Sequence, residues 1–148
     1  MYWRPVVTLA YALQFHAFGT SPLGYHAVNL ALHLACTLLT FGLLRRRVGD
    51  GEARGEVAAL LGALVFAVHP SRPESVTWVS GSTDLWMTLL ALLGNRVFDG
   101  ARDRRGLGTG ALLGLAILSK EAAVVVPALL TLETLGAAEV DPRRRAKL

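Results

Sequence analysis

The run YHAVNLALHLACTLLTFGLL, residues 25–44, dominates the fold of this chain. Its 20 residues include no Asp, Glu, Lys or Arg, and a helix of about that length crosses the hydrocarbon core of a bilayer. Four further apolar runs follow between polar breaks, at residues 57–68, 85–98, roughly 107–118 and 122–140. Because the middle three runs are short, hydropathy alone also leaves open a soluble helical bundle.

The composition favours a membrane protein. Of the 148 residues, 53% are hydrophobic and 18% are charged, whereas soluble domains carry about 25% charged residues. The net charge of +4 comes from short basic clusters between the apolar runs. Since no basic face interleaved with aromatic residues is present, a nucleic-acid partner is not expected. The single cysteine, Cys36, excludes an intrachain disulfide framework and a CxxC metal site.

The distribution of basic residues decides between the two classes. If the five runs cross a membrane alternately, one side receives 12 of the 15 basic residues, namely Arg45, Arg46, Arg47, Arg54, Arg96, Arg102, Arg104, Arg105, Arg143, Arg144, Arg145 and Lys147. The other side receives Arg4, Arg72 and Lys120. This is the positive-inside pattern, which a soluble bundle has no reason to show. We therefore predict an all-α polytopic membrane bundle of about five transmembrane helices with a cytoplasmic C-terminus.

The chain is predicted to be a single multi-pass domain with three parts. Residues 1–24 form an outer interfacial segment with several aromatic side chains, residues 25–140 form the five-helix bundle, and residues 141–148 form a basic cytoplasmic tail. For a bacterial source the membrane would be the plasma (inner) membrane. The polar stretch HPSRPESVTWVSGSTD, residues 69–84, then lies on the non-cytoplasmic face, together with Ser119-Lys120-Glu121 and Arg4.

The polar residues of that face admit structural as well as functional interpretations. The Lys120 ammonium could hold a phosphate as a point charge, or it could anchor a helix end by snorkelling to the headgroups. Asp84 could be a site carboxylate or a helix N-cap. Glu74 could act in the site or simply pair with Arg72.

Two periodic patterns lie within the apolar runs. One stripe on the first run consists of His26, Asn29, His33, Thr37 and Thr40. It must turn towards protein or water, so we expect interhelical hydrogen bonds from its inner members and contact with substrate from His26 at the outer mouth. The second pattern, Gly106, Gly110 and Gly114, predicts close helix packing through a face of small residues.

Four segments occur in an order that resembles one group of membrane glycosyltransferases: RPV at 4–6, GYHAVNLALHL at 24–34, FAVHPSRPESVTWVSGSTDL at 66–85 and LSKEAAVVVPALLTL at 118–132. They are similar to the transmembrane-and-tetratricopeptide-repeat O-mannosyltransferases and their bacterial relatives, which have the GT-C fold. The resemblance covers roughly residues 2–135. It implies a fragment of a GT-C-like fold that transfers a mannose-like sugar from a polyprenyl-phosphate donor to a protein or glycan acceptor on the non-cytoplasmic face.

The resemblance also implies roles for individual residues. The pattern of the group is matched by His69, Pro70, Glu74, Gly81 and Asp84, whereas Arg72 stands in place of a second histidine and Ser82 in place of an arginine. The implied catalytic residues are Asp84, Glu74 and His69. The implied phosphate ligands are Lys120, Arg72 and His26, with Glu121 and Arg4 in support. A divalent metal ion is the one cofactor expected, with Asp84 as its ligand.

In the group, the acidic residues of the catalytic centre lie in an outer loop that precedes the segment resembling MYWRPV. We therefore expect this chain to be inactive alone, with its general base supplied from outside it. The expected partners are the polyprenyl-phosphate-linked sugar, the acceptor and the lipid bilayer. The alternative is a non-catalytic polytopic membrane protein, either a transporter-like bundle or a scaffold derived from such an enzyme.

Overall fold

The computed structural model describes residues 3–48, 52–98 and 104–140, and all regular elements in these ranges are helical. The α-helices are α1 (Pro5–Phe18), α2 (Pro22–Val48), α3 (Ala53–Val68), α4 (Arg72–Thr77), α5 (Ser82–Phe98), α6 (Arg104–Ser119) and α7 (Val125–Val140). Short 3-10 turns at Val79–Gly81 and Glu121–Val124 connect α4 to α5 and α6 to α7. The prediction of an all-α fold is confirmed. The predicted cytoplasmic tail, residues 141–148, lies outside the described residues.

Helix α2 carries the evidence for a membrane location. Its 27 residues include a window with a mean hydropathy of 1.8, and its length of about 40 Å exceeds the roughly 30 Å of a bilayer core. Within the described residues it is the one helix that is long and apolar enough to cross a membrane, while Gly106–Ser119 is apolar but shorter. The other long helices have 14 to 17 residues. The predicted number of five spans therefore stays a prediction.

Proline and glycine determine how α1 turns into α2. Pro5 and Pro22 occupy the first positions of the two helices, where the missing N–H has no helical partner to lose. Gly19 ends α1 with a φ of 58°, and its carbonyl accepts the Tyr25 hydroxyl at 2.9 Å. The rings of Phe18 and Tyr25 meet edge to face with centroids 6.4 Å apart. These contacts fold α1 back against the start of α2.

Helices α2, α5 and α6 form the centre of the bundle, since α2 packs against α3 and α5, and α5 packs against α6. Small residues bring the helices close: Ala59 and Ala63 of α3 and Ala116 of α6 are buried. Gly94 of α5 lies so near α6 that a Cβ atom there would be 3.0 Å from Leu113. Gly94 therefore leaves room for the Leu113 side chain at the contact between α5 and α6.

The glycine stripe of α6 does not take part in this packing. A Cβ atom added at Gly106, Gly110 or Gly114 would meet nothing within 4 Å. The prediction of close packing through these glycines is wrong for the described part of the chain, because α6 turns Leu113 and Ala116 towards its neighbours.

The polar stripe of α2 does face protein. Asn29 and His33 are buried, and His33 Nε2 lies 3.1 Å from the carbonyl oxygen of Ala67 in α3. The His33 ring also stacks on Phe66. Thr37 instead donates its hydroxyl to the His33 carbonyl of its own helix at 2.9 Å. The predicted interhelical bond is thus made by His33 but not by Thr37.

The bundle has two ends, which differ in their polar groups. We call the end formed by residues 69–84 and 119–121 the site end. The end where α2 and α5 finish and α3 and α6 begin is called the opposite end.

Candidate functional site

Residues 69–84 fold into α4, a 3-10 turn and the first turn of α5. Trp78 has extended backbone angles, φ −87° and ψ 130°, and separates α4 from the turn. Gly81 then passes directly over α4, since a Cβ atom there would lie 2.7 Å from the Glu74 carbonyl oxygen and 2.7 Å from Ser75 Cα. A residue without a side chain is therefore required at position 81 to bring the start of α5 beside α4.

Helix α2 fixes this segment through Asn29. The side chain is 1% exposed, and its Nδ2 donates to the Val76 carbonyl at 3.3 Å and to the Trp78 carbonyl at 3.0 Å. Both amide hydrogens are used, as expected of a buried polar group. The sequence pattern had identified Asn29 only as a member of the α2 stripe, because nothing local to it indicates two carbonyls nearly 50 positions away.

Helix α1 fixes the same segment from another side. The buried Ser82 hydroxyl donates to the Tyr11 hydroxyl at 2.8 Å, and the Tyr11 hydroxyl donates to the Val79 carbonyl at 2.7 Å. The predicted interfacial segment is thus a helix bonded to the start of α5. Its depth in a membrane stays a prediction.

A polar cavity of about 670 Å³ lies between α4, the start of α5 and Lys120. Its ionisable lining side chains in the described residues are Glu74, Asp84 and Lys120. The Lys120 ammonium donates to Asp84 Oδ1, and the two side chains are 29% and 34% exposed. We call this space the charged cavity. It joins residues that are 36 positions apart in sequence.

Local backbone geometry explains why Lys120 and Asp84 meet. Lys120 is extended between α6 and the following 3-10 turn, with φ −157° and ψ 131°, so its side chain leaves the helix axis. Asp84 is the third residue of α5, where the helix dipole favours a carboxylate. Because α5 begins at Ser82, Asp84 lies inside the helix rather than at an N-cap. An ammonium has three N–H donors, so its bond to Asp84 leaves donors for a second anion.

A second ion pair supports the position of Lys120. Arg4 Nη2 donates to both carboxylate oxygens of Glu121, at 3.1 and 3.2 Å, and this links the start of α1 to the residue after Lys120. A hydrogen bond from the backbone at Glu121 and then the Arg4 guanidinium hold the pKa of the Glu121 carboxyl below its usual value.

The structure brings three of the predicted site residues, Glu74, Asp84 and Lys120, into the charged cavity. His69 is exposed at the end of α3 and is not in its lining. The His69 Nδ1 atom accepts the Ser71 backbone N–H at 3.2 Å and lies 2.8 Å from Ser71 Oγ. Since Ser71 lines the cavity, His69 is one residue removed from it.

Of the two further predicted phosphate ligands, the structure describes the side chain of His26 only. The side chain of Arg72 lies outside the described part of the structure. His26 lines a neighbouring cavity of about 790 Å³, together with Tyr11, Phe15, Tyr25, Thr77, Trp78, Val79 and Ser80. We call this space the aromatic cavity. Trp78 and Ser80 line both cavities, so His26 and Lys120 lie on different sides of a shared wall.

The described lining of the charged cavity has two carboxylates, those of Glu74 and Asp84. Among the described residues, no group of three or more His, Cys, Asp or Glu side chains is placed to hold a metal ion. The Asp84 carboxylate is also paired with an ammonium, with which a cation would have to compete. Metal ligation by Asp84 stays a prediction.

The described residues form an all-α bundle with one helix of membrane-spanning length and a charged cavity at one end. Over most of its length the chain is similar to proteins named as O-mannosyl-transferases. Protein O-mannosyl-transferase Tmtc1 of Drosophila melanogaster is 36% identical over 126 residues, which is 82% of this chain and 14% of the relative. TMTC2 of Mus musculus is 32% identical over 133 residues, 84% of this chain and 15% of the relative.

TMTC1 of Homo sapiens is 32% identical over 106 residues, 72% of this chain and 12% of the relative. The predicted resemblance to the transmembrane-and-tetratricopeptide-repeat O-mannosyltransferases is therefore confirmed, as a resemblance of a partial chain. The chain spans 12–15% of the length of these curated relatives. No protein-family model matches it, and no solved structure does.

Proposed function

We propose that this chain is part of a membrane glycosyltransferase. Its site end binds a polyprenyl-phosphate-linked, mannose-like sugar for transfer to a protein or glycan acceptor on the non-cytoplasmic face. The names of the relatives support the glycosyl transfer. The observation that carries the proposal is the half-buried Lys120–Asp84 pair inside the charged cavity, because a transferase of this kind needs a fixed cation at the phosphate that leaves.

Lys120 acts on the leaving group. Transfer breaks the bond between the sugar C1 atom and a phosphate oxygen, and negative charge grows on the phosphate as that bond breaks. A cation held in advance near that oxygen stabilises the transition state more than one that must first reorient. Asp84 supplies this fixed position, because it accepts one N–H of the ammonium and leaves two donors for the phosphate.

The acceptor hydroxyl attacks C1, and its proton must pass to a base. Glu74 is the second carboxylate of the charged cavity and is exposed, so we assign it the role of orienting the acceptor hydroxyl, while the general base comes from outside this chain. His69 adjoins the same site through its contact with the cavity residue Ser71.

The proposal places α2, α3, α5, α6 and α7 across the membrane, with residues 69–84 outside and the C-terminus in the cytoplasm. Its support is the excess of basic residues on the opposite side. Helices of 16 or 17 residues reach about 25 Å and would require local thinning of the bilayer. A reporter inserted after Ser75 should report the outside, and one fused after Leu148 the cytoplasm. A cytoplasmic signal at Ser75 would exclude an outer site.

Donor binding by Lys120 can be tested on the full chain in lipid nanodiscs with decaprenyl-phosphate-linked mannose. We expect Lys120→Ala to weaken binding by about 10- to 100-fold, equivalent to about 1.4–2.8 kcal/mol. Lys120→Arg should keep part of the affinity, because the charge stays while the ammonium geometry is lost. Arg54→Ala, which removes an exposed cation at the opposite end, is the matched control. If Lys120→Ala binds the donor with unchanged affinity, Lys120 is only an anchor of the helix end.

A further inference from the structure

The aromatic cavity has no part in the mechanism above, and its lining has a distinct chemistry. Three of its side chains already use their hydroxyls: Tyr11, Tyr25 and Thr77 donate to backbone carbonyls at 2.7, 2.9 and 2.6 Å. These hydrogen bonds hold the three side chains in place and use their hydroxyl protons, so none of the three leaves a donor for a ligand. With Phe15 and Trp78, the cavity therefore offers mainly aromatic ring surface.

The aromatic cavity also lacks strong charge. None of the described residues that line it is Asp, Glu, Lys or Arg, and its imidazole comes from His26. A phosphate or another ion would find no counter-charge there, whereas an uncharged apolar group would be well accommodated. This is the reverse of the charged cavity across the shared wall.

The wall itself places the two cavities next to each other. Trp78 and Ser80 line both, and Trp78 is 61% exposed. The backbone of the wall is held in place, because Asn29 donates a hydrogen bond to the Trp78 carbonyl and Tyr11 donates one to the Val79 carbonyl. A ligand seated in the aromatic cavity can therefore extend over Trp78 towards Lys120 and Asp84 without any rearrangement of the backbone.

Two apolar groups fit this cavity: the prenyl chain of a lipid donor and an apolar side chain of a polypeptide. They differ in the environment that each one leaves when it binds. The prenyl chain of a lipid donor is already surrounded by hydrocarbon in the bilayer, so transfer to an aromatic cavity brings it no hydrophobic gain. A polypeptide arrives from water, and each apolar side chain that it buries gains the full transfer free energy.

We propose that the aromatic cavity binds the acceptor polypeptide by taking an apolar side chain close to the Ser or Thr that receives the sugar. The inference rests on the proposed glycosyl transfer and adds the acceptor's binding site to it. The apolar side chain anchors the polypeptide on Phe15, Tyr25 and Trp78. Its hydroxyl-bearing residue then crosses the shared wall into the charged cavity.

The test measures binding of a short fluorescein-labelled peptide to the full chain in nanodiscs. The peptide consists of Gly and Ser around one Thr, with Phe two positions before the Thr, and a matched peptide has Asn in place of Phe. We expect the Phe peptide to bind at least about 10-fold more tightly, because it alone buries an aromatic ring. Phe15→Ala should remove most of that difference.

Leu13→Ala is the control, since Leu13 is 63% and Phe15 58% exposed on the same helix and Leu13 does not line the cavity. It should leave the difference between the peptides unchanged. Equal binding of the two peptides would overturn the proposal, and so would a Phe15→Ala variant that still discriminates between them.

A parallel titration with decaprenyl phosphate separates this inference from the proposed function. Loss of decaprenyl phosphate binding in Lys120→Ala, with peptide binding unchanged, supports two separate sites. If Phe15→Ala instead weakens decaprenyl phosphate binding and leaves peptide binding unchanged, the cavity holds the lipid chain and the acceptor assignment is overturned. If Lys120→Ala binds decaprenyl phosphate as tightly as the wild type, the proposed donor site is contradicted and the acceptor assignment is unaffected.

Discussion

Both ends of the bundle carry ion pairs in the described residues, and at the site end hydrogen bonds between helices hold the backbone beside the pair in place. At the opposite end, Arg45 bonds Glu56 at 2.6 Å with the two side chains 56% and 47% exposed, and Arg47 pairs with Glu133. Pairs of this kind join side chains that extend from helix surfaces, and exposed ones contribute about 0–1 kcal/mol each. Their contribution is to hold neighbouring helices together.

At the site end, the ion pair lies beside a backbone segment that other helices hold in place. Lys120 and Asp84 are less exposed than Arg45 and Glu56, and Asp84 lies in the first turn of a helix that Ser82 ties to α1. Asn29 fixes the carbonyls just before it. A charge that is positioned before a ligand arrives is what stabilisation of a transition state requires, so we interpret the site end as functional and the opposite end as structural.

The largest effect that would test this contrast comes from neutralising one carboxylate at each end. For the protein in its membrane, Asp84→Asn should lower the proposed sugar transfer by about 100-fold, or about 2.7 kcal/mol, because Lys120 loses its fixed position. Glu56→Gln, the same chemical change at the opposite end, should stay within about 2-fold. Transfer is measured per amount of membrane-inserted protein. Parallel losses of protein and of transfer in Asp84→Asn would make the pair structural.

Much of this contrast could be predicted from the sequence. The alternation of apolar runs brings residues 69–84 and 119–121 to one end of the bundle, so the nearness of Asp84 and Lys120 follows from topology. The polar stripe of α2 likewise predicts that Asn29 faces protein. These features depend only on periodicity and on charge, which a sequence displays directly.

The path of the backbone could not be predicted. Nothing in the residue types indicates that α4 forms within residues 69–84, that Gly81 passes over it, or that Tyr11 reaches Ser82. Such contacts depend on distances between segments far apart in sequence. The glycine stripe of α6 shows the same limit, because spacing identified a face of small residues but not whether a helix of this chain lies against it.

An intermediate effect is expected from two Gly→Ala substitutions. At Gly81 the new Cβ would lie 2.7 Å from backbone atoms of α4, and the segment would have to move, at a cost of about 1–3 kcal/mol. At Gly110 the space is open, so alanine should stabilise the helix by up to about 1 kcal/mol. Thermal unfolding of the chain in detergent measures both. Destabilisation by Gly110→Ala would show that another helix packs on this face.

The smallest effect concerns Glu121, an exposed residue of the site end whose carboxyl pKa lies below its ordinary value. Because the folded-state pKa is lowered, the ionised carboxylate stabilises the fold above the ordinary pKa, and this contribution is lost as the pH falls through the folded-state pKa. The Tm of the wild-type chain should therefore fall more steeply in acid than that of Glu121→Gln. Arg4→Gln should reduce the difference only in part, since the backbone hydrogen bond, the larger cause, remains. If the Tm depends on acid pH in the same way in the wild type and in Glu121→Gln, the expected stabilisation is contradicted. The Arg4–Glu121 pair would then resemble the exposed pairs at the opposite end.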